Sequence, residues 1–376
     1  MKLSRALFSV IAFLCLVPFG AGAQELVHDT TVTMKARVLE VISQELQEVP
    51  GTGVQSTYQT ISVEVLDGPE KGKIVTVEND YLVLKQGTVF YLMHTTDALN
   101  EGEYYSVSEP YRLPALLALT VLFIAVVVIF GGMQGLRGLL ALVGSLFFIM
   151  FLLLPGILQG YPPILVAVGV ASIIIVGASY ITHGFTRTTS VAVFGMILTV
   201  SLTGILAYVA IPFAQLSGFS SDETVYLNMN TRGVLNIAGL LIGSMIIGTL
   251  GVLYDAAIGQ SVAVEELVSA GKHLSRLEVY KRALRIGREH IGALVNTLAI
   301  AYVGAALPLL LLFYGYGDGD VLMSINREIF ATEIVRTIVG SIGIVLAVPI
   351  TTAIAVRFLW GRAPMVKRET SHGHSH

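Results

Sequence analysis

Residues 113–133 read LPALLALTVLFIAVVVIFGGM, 21 positions without a charge. About 20 apolar residues in a helix span the ~30 Å hydrocarbon core of a bilayer. Helices that are apolar on every face belong in a membrane or inside a very large core. The same character recurs downstream: residues 138–186 hold 49 uncharged positions, residues 188–221 hold 34, and further charge-free runs cover 233–254, 291–317 and 337–356. These runs predict seven spans, near 114–132, 138–157, 163–182, 191–212, 234–257, 291–314 and 335–358. Composition agrees: 54% of the 376 residues are hydrophobic and 13% charged, against about 25% charged in an ordinary soluble domain. An ordinary cytosolic enzyme is thereby excluded.

Upstream of this region the pattern changes period. Residues 31–42, 56–66, 73–78, 88–94 and 103–108 alternate apolar and polar positions and are rich in Val, Ile, Thr and Tyr, which is the strand signature. Pro50-Gly51-Thr52-Gly53, Asp67-Gly68-Pro69 and Lys85-Gln86-Gly87 punctuate them as turns. Five short strands in residues 24–112 predict a small β-barrel-like domain of OB or SH3-like type. Six Lys/Arg face fourteen Asp/Glu there, so nucleic acid is not an expected partner. Tyr104, Tyr105 and Tyr111 precede the first span and read as an interfacial belt.

At the N-terminus Lys2 and Arg5 precede an apolar run, and Ala21-Gly22-Ala23 supplies small residues at a cleavage site. Residues 1–23 therefore read as a secretory signal peptide. Cleavage removes Cys15, the only cysteine, and leaves a mature chain without thiol chemistry. It also makes residues 24–112 extracytoplasmic. Charge supports that orientation independently. Arg137, Arg187, Lys272, Arg276, Lys281, Arg282, Arg285, Arg288, Arg357, Arg362, Lys367 and Arg368 fall on the expected cytoplasmic side, against Arg112, Arg232, Arg327 and Arg336 outside, as the positive-inside rule requires. The expected location is a bacterial inner membrane, with the C-terminus in the cytoplasm.

Polar residues inside spans are the candidates for function. Asp255 is the carboxylate within the fifth span; His290, Asn296 and Tyr302 lie one to two turns apart on the sixth. Together they would line a polar path for a small ion or solute, or else hydrogen-bond helices together. Gly239/Gly243 and Ser244/Gly248 are small pairs four apart on the fifth span, which allow close helix packing. Pro155, Pro308 and Pro349 interrupt the second, sixth and seventh spans. Residues 259–290 form a basic cytoplasmic segment that would lie on the anionic leaflet or dock a partner.

No catalytic, cofactor-binding or metal constellation emerges. Gly315-Tyr316-Gly317-Asp318 matches four letters of a potassium filter but follows a full span, not a re-entrant loop. Pairing it with Tyr254-Asp255 as an aspartyl dyad would separate the carboxylates by about 30 Å of bilayer. His372, His374 and His376 in the tail, residues 361–376, offer imidazoles to a transition metal, though a disordered tail is the expectation.

Several blocks carry a family likeness. Tyr58-Gln59-Thr60, Val77-Glu78-Asn79-Asp80, Asp255-Ala256-Ala257-Ile258-Gly259-Gln260-Ser261 and Gly287-Arg288-Glu289-His290-Ile291, followed by Asn296-Thr297-Leu298 and Leu307-Pro308-Leu309-Leu310, resemble the YibE/F-like family of bacterial multipass membrane proteins. The resemblance implies architecture and localisation and supplies no reaction. Two functions are expected from the residues: a transporter or permease-like module, or a non-transporting scaffold that binds a membrane or extracytoplasmic protein through the β domain and the 259–290 segment.

Overall fold

The computed structural model describes residues 30–49, 51–96, 102–271, 273–316 and 321–361. The expected signal peptide, the Gly317-Asp318 pair and the histidine tail lie outside the described residues. The chain divides into two compact units, residues 1–123 and 124–376.

The first unit is an antiparallel sheet of five strands: β1 (Thr30–Glu48), β2 (Gln55–Val65), β3 (Ile74–Asn79), β4 (Val89–Thr96) and β5 (Glu103–Pro110), in the order β3-β2-β1-β4-β5. β1 is long because it serves two partners. Its first half pairs with β4, from Thr30↔Thr96 to Arg37↔Val89, and its second half with β2, out to Glu48↔Gln55. Bulges at Val38/Glu40 and Val41/Ser43 bend it between those roles. Alternation sends Met34, Ala36, Val38, Ile61, Val63, Phe90 and Leu92 to one buried face. The sheet is a half-barrel, with its open seam between β3 and β5.

Two amides sit inside this core. Gln59 and Asn79 are buried. The Gln59 amide accepts from Leu84 N–H at 2.8 Å and donates to Leu84 C=O at 3.0 Å. Asn79 donates to Gln59 Oε1 at 3.1 Å and to Leu82 C=O. The side chains thus replace a missing strand for the 80–84 segment. Across the seam, Lys73 Nζ donates to Glu70 Oε1 at 2.8 Å and to the Tyr105 hydroxyl at 2.7 Å. The Lys73 hydrogen bond holds the Glu70 carboxyl below its usual range, and Glu70 raises Lys73 in return.

From Leu113 onward the chain is helical, the start of α1 still belonging to the first unit: α1 (Leu113–Leu158), α2 (Pro163–His183), α3 (Arg187–Phe213), α4 (Asp222–Asn230), α5 (Ile237–Ala270), α6 (Arg276–Ala305), α7 (Leu307–Tyr316), α8 (Val321–Asn326) and α9 (Glu328–Leu359). Among the described residues, five helices are long and apolar enough to cross a membrane, or six if α6 and α7 form one bent span. The expected count was seven. The predicted spans 114–132 and 138–157 are the two arms of the 46-residue α1, which counts once in that tally. It is kinked at Gly132, whose φ of 54° and ψ of −141° are non-helical and are readily adopted only by glycine.

Proline explains the other irregularities. The 66° bend between α6 and α7 falls at Ala306, two residues before Pro308, which has no N–H to continue the hydrogen-bond ladder of α6. A π-turn at Ile149–Leu153 precedes Pro155, which has no N–H for a regular helical bond. Pro349 stays inside α9 without breaking it.

Helices α3, α5 and α9 form the centre of the bundle, with buried Ala192, Met196, Ala207, Met245, Ile246, Ile344 and Ala347. Glycine–threonine contacts bring them close. A Cβ on Gly195 would stand 2.6 Å from Thr351 Oγ1, one on Gly343 2.5 Å from Thr203 Oγ1, and one on Gly340 2.5 Å from Thr249 Cγ2. Residues 259–290 are helical on both sides of a short turn, which Ser275 opens as the N-cap of α6. Its hydroxyl accepts from Glu278 N–H, while the Glu278 carboxylate accepts from Ser275 N–H at 2.8 Å.

Candidate functional site

A cavity of about 480 Å³ opens where α5 begins, α6 ends and α9 enters the bundle. Its apolar wall comes from Leu240, Leu241 and Leu309, and its polar groups are Ser221, Thr224, Ser244, Tyr302, Glu333 and Arg336. Arg336 donates to Glu333 Oε1 at 2.7 Å across one helical turn of α9. Both side chains are largely covered, 23% and 29% exposed. The guanidinium lies 6.0 Å from the Tyr302 ring centre, at the outer limit of a cation–π contact. Arg336 Nε and the Tyr302 hydroxyl are buried without hydrogen-bond partners among the described residues. A buried polar atom left so costs on the order of 1–3 kcal/mol, and buried polar groups in native proteins are nearly always paired.

One carboxylate fixes the cavity rim. Glu328, at the start of α9, accepts from Ser217 N–H at 2.7 Å, Gly218 N–H at 2.7 Å and the Ser217 hydroxyl at 2.8–2.9 Å. This ties the α3–α4 connection onto α9. Gly218 has φ 90°, and a side chain there would meet the Ile237 carbonyl oxygen at 2.8 Å.

The expected polar path is dispersed. Tyr302 faces the cavity, whereas Asp255, His290 and Asn296 are exposed on the surfaces of α5 and α6. Among the described residues, no hydrogen bond, ion pair or ring contact joins any two of the four. Asp255 instead follows Tyr254, whose ring lies 6.0 Å from that of His183 on α2. The small residues of α5 take separate places. Gly239 faces Pro163, with a hypothetical Cβ 2.8 Å from its Cγ, and Gly243 faces Ala167 at 3.6 Å. Ser244 lines the cavity, and Gly248 accommodates the Tyr302 hydroxyl.

Sequence reasoning missed Glu333 and Arg336 as site residues. Their i,i+3 spacing was visible, but Arg336 entered only as a topological charge. Gln260, which the sequence offered only as part of the 255–261 block, is buried and donates from Nε2 to Ala283 C=O at 2.7 Å. Gln260 packs over Gly287, where a Cβ would lie 2.6 Å from its Oε1. This contact joins the 255–261 and 287–291 blocks in space.

A half-barrel joined to a bundle of long apolar helices defines a multi-helix membrane protein. The sequence profile described as YibE/F-like protein matches residues 119–361, and the chain belongs to the YibE/F-like family. No curated protein and no solved structure matches it.

Proposed function

We propose that this chain is a permease-like module of a bacterial inner membrane that passes a small ion or solute and catalyses no covalent reaction. In this reading the signal peptide is removed, the half-barrel lies outside and the C-terminus lies in the cytoplasm. The chain crosses seven times, with α1 contributing two crossings that part at Gly132. The reading rests on one observation above all: the cavity beside α5, α6 and α9 holds a covered Glu333–Arg336 pair and an unpartnered Tyr302 hydroxyl. Covered ionisable residues at the outer end of a span, where Glu333 and Arg336 fall, would form the mouth of a solute path. Asp255, His290 and Asn296 would serve the cytoplasmic half of the route.

Single-cysteine labelling tests it. In a Cys15→Ser background, Ser244→Cys should react with a membrane-impermeant maleimide from outside, and Ser269→Cys only from the cytoplasmic face. Asn296→Cys should react if water follows the path inward. An unreactive Ser244→Cys beside a normally reactive Ser269→Cys would remove the cavity route. Unchanged flux and phenotype with alanine at Asp255, His290, Asn296 and Tyr302 together would remove the path.

A second reading, a scaffold or assembly factor, draws on a different observation. Asp255, His290 and Asn296 are exposed on helix surfaces, and the most apolar stretch of α1 buries none of its residues within the chain. Polar side chains facing lipid are costly, so those faces would take another protein. Cysteine cross-linking from His290→Cys to a co-purifying chain distinguishes this reading from the first.

A further inference from the structure

The open seam of the half-barrel gathers donors from three separate elements: Glu70 from the β2–β3 turn, His94 from β4 and Glu103 from β5. One donor atom from each lies within 4.8 Å of the other two. His94 Nε2 is 3.7 Å from Glu103 Oε2, and Nδ1 is 3.9 Å from Glu70 Oε2. Zinc–nitrogen and zinc–oxygen bonds of about 2.0–2.2 Å place tetrahedral ligands roughly 3.4 Å apart. A single ring nitrogen ligates one ion, so these two edges are alternatives, and the set as a whole must close from separations of up to 4.8 Å, a movement of about 1 Å for flexible glutamate side chains.

The histidine is held for such a role. Its ring stacks on Tyr105 at 4.6 Å and 7°, its side chain is 13% exposed, and Nε2 is buried without a hydrogen-bond partner. Tyr105 also donates to Glu70 Oε2 at 2.8 Å, the kind of outer contact that orients a ligating carboxylate. The seam already attracts a cation: Lys73 Nζ lies 2.8 Å from Glu70 Oε1 and 3.8 Å from Glu103 Oε2. Lys73 sits on a flexible stem and is 44% exposed, so it can swing out.

We infer that Glu70, His94 and Glu103 form a site for a divalent first-row transition-metal ion, which displaces the Lys73 ammonium on binding. One imidazole with two carboxylates suits zinc or manganese better than calcium or magnesium, which take oxygen alone. Three protein ligands leave a coordination position open to solvent. The site belongs to the half-barrel and does not depend on what the membrane unit does.

The test uses the full chain in detergent, with His372, His374 and His376 replaced by alanine so that the tail cannot bind. Cobalt(II) is titrated and followed by its visible ligand-field absorption, then displaced by zinc. One equivalent should bind. His94→Gln should abolish the absorption, and Glu103→Gln, an exposed position that leaves the fold intact, should weaken binding by about tenfold or more. Lys73→Met should tighten binding by about tenfold, because it removes the competing charge. Absence of a one-equivalent site in the Lys73→Met chain would overturn the inference, as would binding indifferent to both His94→Gln and Glu103→Gln. Displacement of cobalt by calcium as readily as by zinc would overturn the assigned metal class.

Discussion

Tyr302 on α6 occupies the space that Gly248 on α5 leaves open: a Cβ at 248 would lie 2.6 Å from the Tyr302 hydroxyl oxygen, with the next ring atom at 3.7 Å. Only the oxygen clashes. Gly248→Ala should therefore destabilise the helical unit by about 1–3 kcal/mol, the range for overpacking. Adding Tyr302→Phe should restore most of the loss, since 3.7 Å is ordinary contact. Thermal unfolding in detergent of both single variants and the double variant measures the coupling; additive losses would show that the two side chains do not share this space.

Glu328 holds the α3–α4 connection by bonds from Ser217 and Gly218. Hydrogen bonds to a charged group contribute roughly 1.5–3 kcal/mol each, and Glu328→Gln keeps the shape while weakening them. Amide exchange at Ser217 and Gly218 should accelerate, while exchange in the centre of α3 stays unchanged. Equal exchange at 217–218 in both chains would dismiss the clamp.

The Ser275–Glu278 capping box makes the start of α6 sensitive to acid. Backbone and side-chain hydrogen bonds from Ser275 hold the Glu278 carboxyl below its usual range. A depressed folded value means that the cap's contribution is complete above the ordinary carboxylate pKa, about 4.3, and is lost as pH falls through the folded value. Glu278→Gln should lower the unfolding midpoint at pH 6, and the gap to the parent chain should close below about pH 4. A gap independent of pH would mean that the carboxylate's charge has no part in the cap.

In the half-barrel, Gln59→Leu would leave Leu84 N–H and C=O and the Asn79 amide without their shared partner. Each orphaned group costs about 1–3 kcal/mol, so the 80–84 segment should open. Limited proteolysis should cut there first. Gln59→Glu, which can accept but no longer donates, should lie between the two chains.

The five strands were legible because alternation survives wherever one face of a sheet is buried. β1 runs six residues beyond its expected end at Ile42 because backbone pairing with β2 continues to Glu48 after the apolar alternation stops. Charge-free runs revealed the long helices, and Gly131-Gly132, Gly135 and Arg137 marked the break after the first of them, but a glycine-rich stretch with one charge is compatible with a bend as well as with a loop. The polar strip His290, Asn296 and Tyr302 had helical spacing. Spacing alone does not say which face meets a neighbour, and only Tyr302 is turned inward. Glu70, His94 and Glu103 meet because the sheet curls until the β2–β3 turn approaches β4 and β5, a relation that no local pattern encodes. Glu333 and Arg336 were visible as a pair, but their burial depends on α9 starting as early as Glu328.

The glycine–threonine contacts among α3, α5 and α9 carry a consequence for how this chain tolerates change. At Gly195, Gly340 and Gly343 a side chain would have to enter space already held by Thr351, Thr249 and Thr203. Those three positions accept hydrogen alone, while Ile338, Ile342 and Val345 on α9, the helix of Gly340 and Gly343, are exposed and can exchange freely among apolar residues. Random mutation along α9 would therefore be filtered by face rather than by depth. One side would stay frozen to the atom and the other would wander, a three-to-four-residue rhythm of permission that a saturation library would read out as a stripe.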